Sequence, residues 1–219
     1  MLKSRSRRDD FSLLETLLWT AADGYFLLDD HLARLRDSAD YFGRRCDIGD
    51  IRRALGDFAA GLDAERHRVR LLVNPHGEVT LEHAVIDGGP RREPVRLRLA
   101  RRPVDAGDPF LYHKTTRRDV YDDALADAAD CDDVILYNAD GFVTETCVAN
   151  VVIEQQGRKT TPPVHCGLLG GVYRAHLLRN GELTERPVHV SELSSGQRIT
   201  LINSVRGEYP AVLINGDVH

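Results

Sequence analysis

The sequence predicts an α/β protein built from two segments, and three observations carry that prediction. Strand-like stretches with period-two alternation are interleaved with amphipathic helical stripes. Turn signals of the Asp-Gly, Pro-His-Gly and Asn-x-x-Gly kind punctuate them. A cluster of Pro, Asp and Gly over 103–109 then separates the early elements from the later ones, giving a segment 1–102, a linker 103–109 and a larger segment 110–219.

In order, Phe11 to Trp19 is apolar and reads as a buried strand, and Tyr25 to Leu28 as a second after the Asp23-Gly24 turn. Asp29 and Asp30 are suited to cap a helix carrying Leu32, Leu35, Ala39 and Phe42 on one face and ending at Gly43. Asp47 can cap a second helix with Ile48, Ile51, Leu55, Phe58 and Leu62. Arg66 to Val73 alternates charged and apolar residues, as a half-buried strand does. Glu78 to Ile86 returns after a turn, Asp87 to Pro94 is a loop, and Val95 to Leu99 alternates again. Past the linker come a helix over 119–129, strands over 134–137 and 148–154, a hairpin turn at Asn138 to Gly141 and a loop over 160–171. A helix from Val172 stops at Gly181, and strands near 185–190, 198–202 and 211–214 follow.

Composition narrows the function classes. Hydrophobic residues are 42% and charged residues 29%, and the net charge is −5, which argues against bulk nucleic-acid binding. No apolar run approaches the roughly 18 residues of a membrane span. Met1 to Asp10 is basic and polar, a frayed terminus rather than a signal segment. Four unpaired-looking cysteines suggest reduced thiols in a cytoplasmic protein, with no metal site.

Of 29 basic residues only Lys3, Lys114 and Lys159 are lysines. Chemistry that needs a side-chain primary amine has three candidates, because arginine stays protonated. Lys3 is in the tail, and Lys159 sits in a polar turn. Lys114 follows Leu111 and Tyr112 and precedes Arg117 and Arg118, a setting that could favour the neutral amine of a nucleophile or merely an ordinary surface lysine. Glu145, after the Gly141 turn, is either a solvated strand end or a carboxylate facing a ring nitrogen. Gly167 to Arg174 is a Gly-rich entry to a helix, which can cradle phosphate or simply turn. Asn203-Ser204-Val205-Arg206-Gly207 offers a hydroxyl for phosphate and a planar fork for carboxylate, or a polar turn.

The order of these motifs resembles the class IV aminotransferase family. Leu13-Leu14-Glu15-Thr16 resembles its first core strand, and His31-Leu32-Ala33-Arg34-Leu35 with Ser38-Ala39 and Tyr41-Phe42-Gly43 its first helix. The resemblance covers about Phe11 to Leu213. It implies the two-domain pyridoxal-phosphate fold type IV, like D-amino acid aminotransferase. It implies pyridoxal 5'-phosphate as cofactor, with Lys114 as Schiff-base lysine and proton shuttle. Glu145 would pair with the pyridine nitrogen, and Arg34, the amides of Val172 and Tyr173, and Ser204 would hold the phosphate. His31 and Asn150 would be structural, with His31 capping and orienting the first helix.

Tyr112-His113-Lys114-Thr115-Thr116, the Thr161 to Leu169 loop and Asn203 to Gly207 further resemble the lyase segment fused to aminodeoxychorismate synthases. Gly170 stands where the family usually has proline. That branch implies conversion of 4-amino-4-deoxychorismate to 4-aminobenzoate and pyruvate, with Thr16 orienting the substrate and Arg206 on a carboxylate. The alternative is an aminotransferase of branched-chain or D-amino acids. A homodimer, and a separate synthase as a possible partner, are the further expectations.

Overall fold

The computed structural model describes residues 10–87, 93–128, 130–155 and 157–214. The tail at Met1 to Asp9, including Lys3, and most of the predicted 87–94 loop lie outside these. The chain divides into two compact units, Met1–Gly88 with His113–Arg117, and Gly89–Tyr112 with Arg118–His219. The expected linker 103–109 thus lies within the second unit, and the residues around Lys114 return to the first.

The first unit is a four-stranded antiparallel sheet with two helices. β1 (Leu13–Thr20) pairs with the two-residue β2 (Gly24–Tyr25) and, along its whole length, with β3 (Arg66–Val73), giving the order β2-β1-β3-β4 with β4 at Val79–Val85. Alternation does the sorting. Leu13, Glu15 and Leu17 face one side with Val69, Leu71 and Val73, all at 0–1% exposure. α1 (Leu28–Tyr41) packs on β1 and buries His31, Leu32, Leu35, Ser38 and Ala39, the expected helical stripe. α2 (Ile48–Ala59) buries Ile51 and Leu55, and Asp47 caps it by accepting from the Asp50 amide at 2.9 Å.

Three local readings are corrected here. The predicted strand over 25–28 stops at Tyr25, because Leu27 turns into the left-handed region (φ 52) and α1 begins at Leu28. Asp29 and Asp30 consequently sit in the first turn, where the helix dipole favours them, and do not cap it. His31 does not cap α1 either; its Nδ1 lies 2.7 Å from Glu15 Oε2.

Glu15 stands in an apolar row, so its charge must be matched. Arg34 donates from Nε to Oε1 at 2.8 Å and from Nη2 to Oε2 at 2.6 Å. Burial pushes the carboxyl up, but the Arg34 guanidinium and then His31 outweigh it and hold the pKa at about 2. A folded value below the ordinary 4.5 means the ionised group stabilises the fold above pH 4.5, and that contribution is lost as pH falls from 4.5 towards 2. On the order of 3 kcal/mol is at stake. We expect the urea midpoint to drop between pH 5 and pH 3, and Glu15→Gln to flatten that part of the slope.

The second unit is built on an eight-stranded sheet: β5 (Val95–Leu99), β6 (Asp133–Tyr137), β7 (Val143–Thr146), β8 (Asn150–Gln155), β9 (Arg158–Thr161), β10 (Thr184–Glu185), β11 (Arg198–Asn203) and β12 (Gly207–Leu213). Their order is β10-β9-β8-β11-β12-β5-β6-β7, and β7 also pairs with β8, so six strands close into a ring. β5 runs parallel to both β12 and β6. That central place, with Val95 and Leu97 buried, is why a strand expected in the first segment belongs to the second.

Alternate side chains fill the ring: Val95 and Leu97, Ile135, Val143, Val151 and Ile153, Ile199 and Leu201, and Tyr209, Ala211 and Leu213. Burying such side chains contributes roughly 1.5–3 kcal/mol each relative to exposure. α3 (Asp119–Ala126) packs on β6, and α4 (Val172–Arg179) on β11. The expected loop over 160–171 opens with strand β9. The expected strand over 185–190 shrinks to β10, since Pro187 has no amide to extend a ladder, and Val190–Glu192 is a 3-10 turn.

Candidate active site

In the first unit, three predicted residues gather on or against β1. The segment carrying Lys114 is fixed as a short antiparallel addition to its start. Thr115 bridges Leu13, Leu14 N donates to Lys114 O at 2.9 Å, and Thr116 N donates to Ser12 O at 2.9 Å. The preceding His113 stacks on Tyr41 at 4.3 Å and lies 3.0 Å from Ser38 Oγ, with burial pushing its pKa down. Lys114 is half-buried on this fixed backbone. Thr16, two residues beyond Leu14, is half-buried on the face opposite Glu15. Arg34 presents its Nε–Nη2 edge to Glu15, which fixes the plane of its guanidinium.

Lys159 is no rival to Lys114. It is a strand residue of β9, not a turn residue, and its amine donates to Glu208 at 2.9 Å, an interaction that raises its pKa.

In the second unit, Glu145 is not a solvated strand end. It sits inside β7, whose four residues are all buried. Tyr121 OH donates to Oε1 at 2.8 Å, the Leu169 amide to Oε1 at 3.0 Å, and Asn150 Nδ2 to Oε2 at 3.3 Å. All three are donors, so the arrangement suits an ionised carboxylate. Burial, and next Glu145 itself, push the Tyr121 phenol up, keeping it the donor. Arg118 lies over the Tyr121 ring at 4.6 Å and donates to Cys147 O at 2.6 Å.

Asn150 also donates to Leu169 O at 2.9 Å, which ties Glu145 to the loop that opens α4. A side chain at Gly171 would collide with Asn150 Oδ1, so this position requires glycine. α4 then begins at Val172 without a side-chain cap, presenting the amides of Val172 and Tyr173 at a helix start. Ser204 and Arg206 lie in the turn between β11 and β12. Asn203 holds that turn by accepting from the Val205 and Arg206 amides and reaches Val148 O at 3.3 Å. Arg206 is exposed, its guanidinium 5.7 Å from the Tyr209 ring centre.

The sequence reading missed Tyr121 and Glu15. Tyr121 was not singled out within the expected helix over 119–129. Glu15 could have been found as a carboxylate breaking the apolar alternation of β1, with His31 and Arg34 spaced i, i+3 on the next helix.

The sequence pattern of the class IV amino-transferase family matches residues 12–214. The chain belongs to that family. Its members are pyridoxal-phosphate enzymes of mixed α/β architecture. A Schizosaccharomyces pombe protein carrying a provisional assignment as aminodeoxychorismate lyase is 32% identical over 220 residues, 94% of this chain and 91% of that protein. A crystal structure from Mesorhizobium loti, provisionally assigned as an amino-acid aminotransferase, is 35% identical with TM-score 0.86, covering 94% of this chain and all of that one. A hypothetical aminotransferase from Mycobacterium tuberculosis, solved in its PLP-bound form, is 25% identical with TM-score 0.77, covering 94% and 81%.

The residues present fit that cofactor. A buried carboxylate surrounded by three donors is matched to a protonated ring nitrogen. An uncapped helix start behind two glycines is matched to a phosphate.

Proposed function

We propose that the protein converts 4-amino-4-deoxychorismate to 4-aminobenzoate and pyruvate. The observation that carries this reading is the 32% identity to the Schizosaccharomyces pombe protein across nearly the full length of both chains. Lys114 would link the cofactor covalently, Glu145 would hold a proton at its ring nitrogen, and Arg34, Val172, Tyr173 and Ser204 would take its phosphate. Bound there, the cofactor supplies an electron sink.

The chain's own residues then have few tasks. The Lys114 amine would accept the proton from the carbon bearing the substrate's amino group. The bond to the neighbouring ether oxygen breaks, and the enol that leaves becomes pyruvate on taking up a proton. The ring left behind is aromatic, so product stability supplies driving force and the protein mainly positions groups. Thr16 would orient the substrate and Arg206 would meet a carboxylate. Homodimeric assembly, a cytoplasmic location and supply of substrate by a separate synthase belong to the same reading.

A second reading, transamination, is favoured by the 35% identity to the Mesorhizobium loti protein. Both reactions start with the same proton abstraction, so the acceptor separates them. With purified protein and 4-amino-4-deoxychorismate, we expect pyruvate and 4-aminobenzoate in equal amounts without any keto acid. Turnover that depends on an added keto acid would replace the lyase with the transaminase.

A further inference from the structure

Two buried polar residues behind Arg34, Glu15 on β1 and His31 on α1, have no task in the chemistry above. Glu15 is 1% exposed and His31 0%; Glu15 holds one edge of Arg34, and His31 holds Glu15. A simple staple between strand and helix would be easier to build from apolar residues, since burying charges costs several kcal/mol each before they attract one another. Two aliphatic side chains would fit the row of Leu13 and Leu17. What a carboxylate adds is direction. A guanidinium is planar and rigid, so holding its Nε–Nη2 edge with both carboxylate oxygens fixes where its other edge points. His31 in turn fixes the carboxylate through Oε2 at 2.7 Å, with the rest of the imidazole enclosed and its Nε2 without a hydrogen-bond partner. Arg34 alone of the three reaches solvent, with 15% of its side chain exposed.

We infer that Glu15 is a positioning residue for anion binding: it orients Arg34 towards the cofactor's phosphate, and His31 holds Glu15 in place. This rests on the reading of Arg34 as a phosphate ligand. Outer partners that orient a ligating side chain carry roughly 10–100-fold in affinity at metal sites. The lower end, about tenfold, is expected here because phosphate has other partners.

The test uses the full-length protein freed of cofactor and titrated separately with pyridoxal 5'-phosphate and with pyridoxal, which lacks the phosphate. Binding is followed by absorbance, with wild type, Glu15→Gln and Arg34→Gln side by side. Arg34→Gln is expected to weaken pyridoxal 5'-phosphate and leave pyridoxal unchanged. Glu15→Gln is expected to do the same, by about tenfold. If Arg34→Gln is selective but Glu15→Gln weakens both ligands alike, or neither, Glu15 is only a staple and the inference is overturned. If Arg34→Gln shows no selectivity, the phosphate role of Arg34 fails and this inference with it. Should Glu15→Gln not fold, Glu15→Asp, which keeps the charge but shortens the reach, is put through the same titrations and judged by the same outcomes.

Discussion

Replacing Lys114 by alanine is expected to abolish turnover and the absorbance of the cofactor's imine together, with little loss of stability. The two losses come from one amine that would serve as covalent anchor and as proton acceptor. Acid–base catalysis by one positioned group contributes up to about 10⁴-fold. Losing the anchor as well puts the fall at that level or beyond. Much of the stability is kept because the backbone bonds that fix this segment do not involve the side chain. The Leu14 N to Lys114 O bond, the Thr115 bridge and the His113 stack on Tyr41 all remain. Pyruvate release and a visible spectrum check the first part, and a thermal melt checks the second. A variant that keeps the absorbance would remove Lys114 from its role.

Glu145→Gln should cost about 100-fold in turnover while the cofactor stays bound. The substitution removes a charge-assisted hydrogen bond worth roughly 1.5–3 kcal/mol, and 3 kcal/mol is a little over two decades of rate. It should also destabilise the protein. The glutamine oxygen can still accept from Tyr121 and Leu169, but its amide then meets the Asn150 amide donor head-on. Two opposed donors in a buried place cost about 1–3 kcal/mol. For a chain of this size that is a melting-point drop of several degrees. Steady-state kinetics and calorimetry read the two effects separately.

How much was legible in the sequence depends on how local the signal is. The helices were readable because their stripes and stops are local: Leu32, Leu35 and Ala39 in α1, Asp47 ahead of α2, Gly181 after α4. β1 and β3 were readable because one face is buried and alternation shows it. The placement of β5 was not, since its parallel neighbours β6 and β12 lie far away in sequence and no local pattern names them. Nor was the return of 113–117 to the first unit, which is made by backbone bonds to Ser12 and Leu14. Residue by residue, Lys114 stood out by the scarcity of lysine. Glu145 was a candidate as well, but its own residues left a solvated strand end open, because only the fold brings Tyr121, Asn150 and the Leu169 amide around its carboxylate. Leu27 gave no warning of its left-handed turn, a conformation that glycine or asparagine usually marks.

The central claim is that one amine of this chain, at Lys114, forms a covalent bond with pyridoxal phosphate. Borohydride reduction of the loaded protein followed by peptide mapping tests it most directly. The cofactor-derived mass is expected on the peptide containing Lys114 and on no peptide containing Lys3 or Lys159. A reduced adduct on either of those lysines, or a fully loaded protein with Lys114 unmodified, would contradict it.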